Sequence, residues 1–144
     1  MMKAFVLLIS MMPAAAMAAN RAPAATAAVT SNMVKFVEPI NGAKVAEKFK
    51  VKMEVDGYKI APLGTMTKGT GHHHLIVDGA PIAAGQVVPA DKTHIHFGKG
   101  QTETELELAP GKHKLTLQFA DGSHMSYGPA MSQTIEIEVQ PKKM

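Results

Sequence analysis

The stretch FKVKMEVDG (Phe49 to Gly57) alternates apolar and charged side chains almost without a break. Apolar residues occupy the odd-numbered positions from 49 to 55, and charged residues occupy the positions between them. Because successive side chains of a β-strand point to opposite faces, this pattern predicts a strand with one face on a core and one in water. A period of two residues does not suit an amphipathic helix.

The same alternation recurs along the chain, and no window combines helical periodicity with helix caps. Pro110-Gly111 and Asp121-Gly122 are turn signals between the alternating segments. These features predict an all-β fold, an immunoglobulin-like antiparallel β-sandwich of about seven strands over residues 33–141. Two long loops, 56–71 and 79–93, are expected to carry function. The further alternating segments are 34–39, 104–108, 113–121 and 134–139.

The first residues have the three parts of a secretory signal. Lys3 precedes an apolar run from Ala4 to Met12, which is too short to span a membrane, and small residues follow to Ala18. We predict a signal peptide over residues 1–18, cleaved on export, and a flexible tail rich in alanine and threonine over residues 19–32. The predicted location is the periplasm, and no other segment is apolar and long enough to span a membrane.

Composition excludes several classes of protein. The chain has no cysteine, so the domain holds together without disulfides, and a blue-copper site, which needs a thiolate, is excluded. A formal net charge of +3, no tryptophan and few aromatic residues argue against nucleic acid as a partner.

Seven histidines lie between His72 and His124, and four of them share a strand parity. Residues i and i+2 of a strand face the same way, so His72 pairs with His74 and His94 pairs with His96. On neighbouring strands these four imidazoles would converge on one transition metal, and copper is the first choice and zinc the second. His124 follows a turn and is either a loop ligand or an ordinary turn residue.

A hydrogen-bonded histidine cluster without metal is the alternative interpretation. His73 has the parity of Leu75 and Val77, which makes it the most structural of the three consecutive histidines. Asp78 is a candidate partner for an imidazole. His113 begins a strand on its core-facing side and is interpreted as a corner residue that bonds back to the backbone. Met125 and Met131 are interpreted as core residues rather than thioether ligands.

Three stretches of the chain resemble an exported bacterial family classed as a domain of unknown function. They are GTGHHHLIVD, HIHFGKGQTETELELAPGKHKLTLQFADGSH and a final Met-Ser-x-x-I-x-I-x-V. Some of its members carry a rod shape-determining label. The resemblance covers about residues 34–139 and supplies no reaction. More loosely, the chain is similar to immunoglobulin-like periplasmic copper carriers. The family resemblance implies that its motif includes the histidines at 72–74, 94 and 96 together with Gln101, Thr102 and Glu103. These last three residues are candidates for second-shell bonds to imidazole N–H groups.

Three hypotheses follow for function. The first is a periplasmic copper- or zinc-binding carrier, buffer or delivery partner, whose partner is an envelope metalloprotein or another periplasmic protein. Its affinity should fall below about pH 6.5, because metal ligands must be neutral imidazoles. The second is an envelope interaction module whose histidines only hold the loops. A metal-dependent enzyme ranks last, because no general base lies beside the histidines.

Overall fold

Residues 33–143, the part of the chain that the computed structural model describes, form nine β-strands and one three-residue 3-10 helix. The predicted signal peptide (1–18) and tail (19–32) lie outside the described residues. In the described part, no helix has the length and apolar character needed to cross a membrane. The elements are β1 (Val34–Glu38), β2 (Lys44–Ala46), β3 (Lys48–Val55), β4 (Lys59–Ile60), β5 (Thr70–Val77), β6 (His94–His96), β7 (Glu103–Glu107), β8 (Gly111–Ala120), the 3-10 helix (Pro129–Met131) and β9 (Ser132–Gln140).

The strands form two sheets. The first sheet has the order β1-β3-β7, and the second has the order β2-β9-β8-β5-β4, with β6 paired to β5. Most pairs are antiparallel, but the short strands β2 and β4 run parallel to β9 and β5. The predicted all-β sandwich is confirmed. Strands β2 and β4, with three and two residues, are too short to show a sequence pattern.

The core lies between the two sheets. Val51 and Met53 of β3 face it from the first sheet, and Leu115, Leu117 and Phe119 of β8 face it from the second. Each of these side chains is at most 4% exposed. The alternating segment 49–57 therefore places its apolar face on this core, as expected.

Strand β5 is buried on both faces. His73 and Leu75 point toward the first sheet, and His72, His74 and Ile76 point outward, yet none of the five is more than 1% exposed. The loops after β4, β5 and β8 cover the outward face, through Leu63, residues 87–90 and His124. A backbone bond of 2.8 Å from Val88 to His124 joins two of these loops.

Gln118 of β8 fastens this loop cover to the sheet. It lies opposite His74, on the outward face, and is fully buried. Its Oε1 accepts a hydrogen bond of 2.9 Å from the Ile82 N–H, and its Nε2 donates one of 2.9 Å to the Gly128 carbonyl. A single side chain thus bonds to the loop after β5 and to the loop after β8.

Candidate metal centre

Four imidazoles converge beneath the loops. Each of them offers a nitrogen, and these nitrogens all lie within 4.8 Å of one another. His72 Nε2 lies 3.0 Å from His96 Nε2, and His74 Nε2 lies 3.3 Å from His124 Nδ1. We call this group, His72, His74, His96 and His124, the histidine cluster.

Sheet register and one loop bring the four rings together. His72 and His74 lie two residues apart on β5, and β6 places His96 directly opposite His74. His124 comes from the loop after β8 and has a positive φ of 66°, which is uncommon for a residue other than glycine. Asp121 supports that loop, because its Oδ1 accepts bonds of 2.8 Å and 3.0 Å from the N–H groups of Ser123 and Met125.

Gly98 makes room for the His96 ring. A Cβ atom added at Gly98 would lie 2.3 Å from His96 Cε1 and 2.7 Å from its Nε2. Any side chain at position 98 would therefore push the His96 ring away from its present position.

Burial keeps three of the cluster imidazoles, His72, His74 and His96, uncharged. Desolvation lowers the pKa of His72 to about 4 and that of His74 to about 3, and repulsion from the other cluster imidazoles adds to it. Desolvation also lowers the pKa of His96, with a contribution from His124. At neutral pH these three rings are neutral, which is the form that a metal requires.

The nitrogen spacing fits a transition metal. A tetrahedral centre with metal–nitrogen bonds of about 2.0–2.1 Å places neighbouring donors roughly 3.3 Å apart. Two nitrogen–nitrogen separations, 3.0 Å and 3.3 Å, are close to this value, and the four donor nitrogens all lie within 4.8 Å of one another. The Nδ1 atoms of His72 and His74 have no hydrogen-bond partner among the described residues, so packing rather than second-shell bonding orients these rings.

The structure does not bring His94 to the cluster. It pairs with Ile76, one step further along β5, and its Nδ1 lies 2.7 Å from Asp91 Oδ1. Hydrogen bonds from His94 and Thr93 lower the pKa of Asp91 to about 2. Of the four histidines that strand parity grouped, three meet, and His124 occupies the fourth corner.

His73 points away from the cluster, toward the core. Its ring meets Phe119 edge to face at a centroid distance of 5.3 Å. Neither ring nitrogen has a hydrogen-bond partner among the described residues, and burial lowers the pKa of the ring to about 4.

His113 lies at the start of β8, far along the sheet from the cluster. Its Nδ1 is 2.9 Å from Asp78 Oδ2 and its Nε2 is 2.8 Å from the Ala109 carbonyl oxygen. Both neighbours are acceptors, and only the protonated ring can donate from both nitrogens, so these contacts favour the imidazolium form. The hydrogen bond to Asp78 accordingly raises the pKa of His113.

Gln101, Thr102 and Glu103 make bonds away from the cluster. Gln101 Oε1 accepts from the Lys99 N–H, the Thr102 carbonyl accepts from Met53, and Glu103 pairs with Lys52 across the sheet. Among the described residues, no hydrogen bond joins any of the three to a cluster imidazole.

Sequence reasoning missed the apolar pocket above the cluster. His74, His96 and His124 line it together with Leu63, Val87, Val88, Pro89 and Ala90. Met125 borders it through an isolated bridge to Val87 and is 42% exposed, which corrects its interpretation as a core residue. Met131 is 3% exposed and belongs to the core. The composition of the 79–93 loop, rich in alanine, valine and proline, was the available signal.

Comparisons with known proteins identify a family but no activity. The family model described as Domain of unknown function (DUF4399) matches residues 51–140. No curated protein matches the chain. Among solved structures, the fibronectin(III)-like modules of Clostridium thermocellum CbhA are similar, with a TM-score of 0.47 and 16% sequence identity over 77% of this chain and 100% of that chain.

Proposed function

This chain belongs to the family described as Domain of unknown function (DUF4399), and we propose that it is an exported protein that binds a transition metal in the histidine cluster. Copper is the first choice and zinc the second, because imidazole suits both metals. The protein would serve as a carrier, buffer or delivery partner in the periplasm. The signal-like residues 1–18 support export.

The observation that carries this proposal is the convergence of four imidazole nitrogens within 4.8 Å. Ordinary core histidines are satisfied one at a time by backbone or carboxylate groups, whereas here the rings face one another. His72 and His74 are fixed by a strand buried on both faces, and His96 and His124 are partly exposed. A metal can therefore enter and leave on the side of the pocket.

The test compares two variants of the mature protein, purified without a histidine tag. His74→Ala combined with His96→Ala removes two ligands on neighbouring strands, and His94→Ala is the matched control outside the cluster. We expect the wild type and the control to bind one copper or zinc ion, and the double variant to lose at least about a hundredfold in affinity. Equal affinity in the double variant would refute the assignment.

The alternative, an envelope interaction module without metal, rests on one observation. The 3.0 Å and 3.3 Å contacts between ring nitrogens are also hydrogen-bond distances, so the rings can satisfy one another. In that case, the double variant should unfold at lower temperature, while wild type and variant take up equally little metal. Thermal melts recorded beside the metal titrations separate the two functions.

A further inference from the structure

The histidine cluster offers a metal only neutral donors. All four ligands are imidazoles, with no carboxylate among them, and the chain has no cysteine to supply a thiolate. A bound metal ion therefore keeps its full charge within the first coordination shell. Any compensation of this charge must come from groups around the cluster.

The surroundings of the cluster supply little negative charge. The side chains that line the pocket beyond the histidines come from Leu63 and the segment 87–90, and none is charged. Two other pockets of the described residues differ, because lysine and glutamate line both of them. An ion in the cluster faces apolar atoms on the side that opens to solvent.

Asp121 is the acidic residue whose charge acts on the cluster, through His72. Its charge raises the pKa of His72, where it is the smallest of the influences. Its Oδ1 also accepts bonds from the N–H and hydroxyl of Ser123 and from the N–H of Met125. These three bonds hold the Oδ1 atom within the loop of Asp121 itself.

The charge of the ion then decides the cost of burying it. The cost of moving an ion from water into a low-dielectric interior rises with the square of its charge, so a divalent ion costs about four times as much as a monovalent one. Thiolate or carboxylate ligands offset that difference at many zinc sites, and the histidine cluster has neither.

We propose, resting on the metal-binding function above, that the cargo of the histidine cluster is monovalent copper, Cu(I), rather than Cu(II) or Zn(II). The four neutral donors and the uncharged pocket wall suit a single positive charge. Met125, which is 42% exposed and bridges through its backbone to the pocket residue Val87, offers a soft thioether close to the pocket, and thioethers select Cu(I).

Cu(I) and Zn(II) make the sharpest comparison, because both have filled d shells and neither gains ligand-field energy from geometry. The mature wild-type protein is titrated with Cu(I) under anaerobic ascorbate against a chromophoric chelator, and separately with Zn(II). We expect Cu(I) to bind at least about a hundredfold more tightly. Zinc binding as tight as or tighter than Cu(I) binding would overturn this inference and leave the metal-binding function standing. Failure to bind Cu(I), Zn(II) and, in a parallel titration, Cu(II) would overturn both the inference and the metal-binding function.

A charge placed in the pocket wall gives a second test. Leu63 is 51% exposed and lines the pocket, so Leu63→Asp should fold, and Leu63→Asn is the matched neutral control. The added carboxylate attracts a divalent ion twice as strongly as a monovalent one. Relative to Leu63→Asn, we expect Leu63→Asp to tighten Zn(II) binding by about tenfold and Cu(I) binding by about threefold. No gain for zinc would show that the site already compensates the charge of a divalent ion, and would overturn the proposal.

Discussion

Replacing His73 by leucine should stabilise this protein, although His73 belongs to the sequence feature that draws attention to the site. The His73 side chain is 0% exposed, and both of its ring nitrogens lack a hydrogen-bond partner among the described residues. A buried polar group without a partner costs about 1–3 kcal/mol. Leucine has a similar volume and no polar atom to leave unpaired.

The net gain follows from the contacts of the ring. Two orphan nitrogens set an upper value of about 2–6 kcal/mol, and loss of the edge-to-face contact with Phe119 at 5.3 Å subtracts about 0.5–1.5 kcal/mol. Imperfect repacking of leucine subtracts roughly another 1 kcal/mol. We therefore expect His73→Leu to raise the free energy of unfolding by about 1–3 kcal/mol, and the melting temperature by roughly 4 °C per kcal/mol.

The stability difference between the leucine variant and the wild type should depend on pH. Burial lowers the pKa of His73 from 6.5 to about 4, so the unfolded chain takes up a proton at this residue that the folded protein refuses. The wild type therefore loses up to about 1.4 kcal/mol of stability per unit as pH falls through this window. The leucine variant lacks this loss at position 73, and its advantage should grow from pH 6.5 toward pH 4.

Urea unfolding of metal-free protein, followed by circular dichroism, measures the effect. His73→Asn is the control, because it keeps a buried polar group and loses the ring packing, and it should be less stable than the wild type. A leucine variant less stable than the wild type by 1 kcal/mol or more would refute the reasoning, since it would mean that the His73 ring makes a favourable polar contact in the folded protein.

Four further outcomes follow from the structure. Gly98→Ala should push the His96 ring aside and weaken metal binding at least about tenfold with little change in melting temperature, which titration and thermal melts check together. Gln118→Leu removes both bonds to the covering loops and should lower the free energy of unfolding, measured with urea, by about 2–3 kcal/mol. Asp78→Asn should lower the free energy of unfolding by about 1 kcal/mol at pH 5–6, a value reduced because the Asp78 side chain is exposed. The loss should shrink as pH rises through the raised pKa of His113, because Asp78 stabilises the imidazolium form, which is then lost. Thermal melts across pH 5–9 test this. Metal affinity should fall more gently from pH 7 to pH 5 than that of four exposed histidines and steepen near pH 4, because burial lowers the pKa of His72 and of His74. Competition titrations at each pH measure it.

Strand parity predicted three of the four members of the histidine cluster. It failed for His94, whose position depends on strand register, and for His124, whose position depends on a loop. Parity says which face of its own strand a side chain occupies, and His94 and His96 do share a face. It does not say which residue of the neighbouring strand lies opposite, and the observed pairing of His96 with His74 puts His94 beside Ile76 instead. His124 lies in a turn, where no period of two or 3.6 residues applies.

The sequence by itself determined the class of fold, the core-facing residues of the long strands, and the chemistry that the chain can offer a metal. These are local properties, because alternation fixes faces and composition fixes the available donors. Only the tertiary structure decided that His124 joins the cluster, that His94 lies outside it, and that an uncharged pocket lies above it. Each of these depends on how residues 20 to 50 positions apart meet, through hydrogen bonds such as that from Val88 to His124 and that from Ile82 to Gln118. Such pairings arise from the packing of loops onto a finished sheet, and local sequence patterns do not encode them.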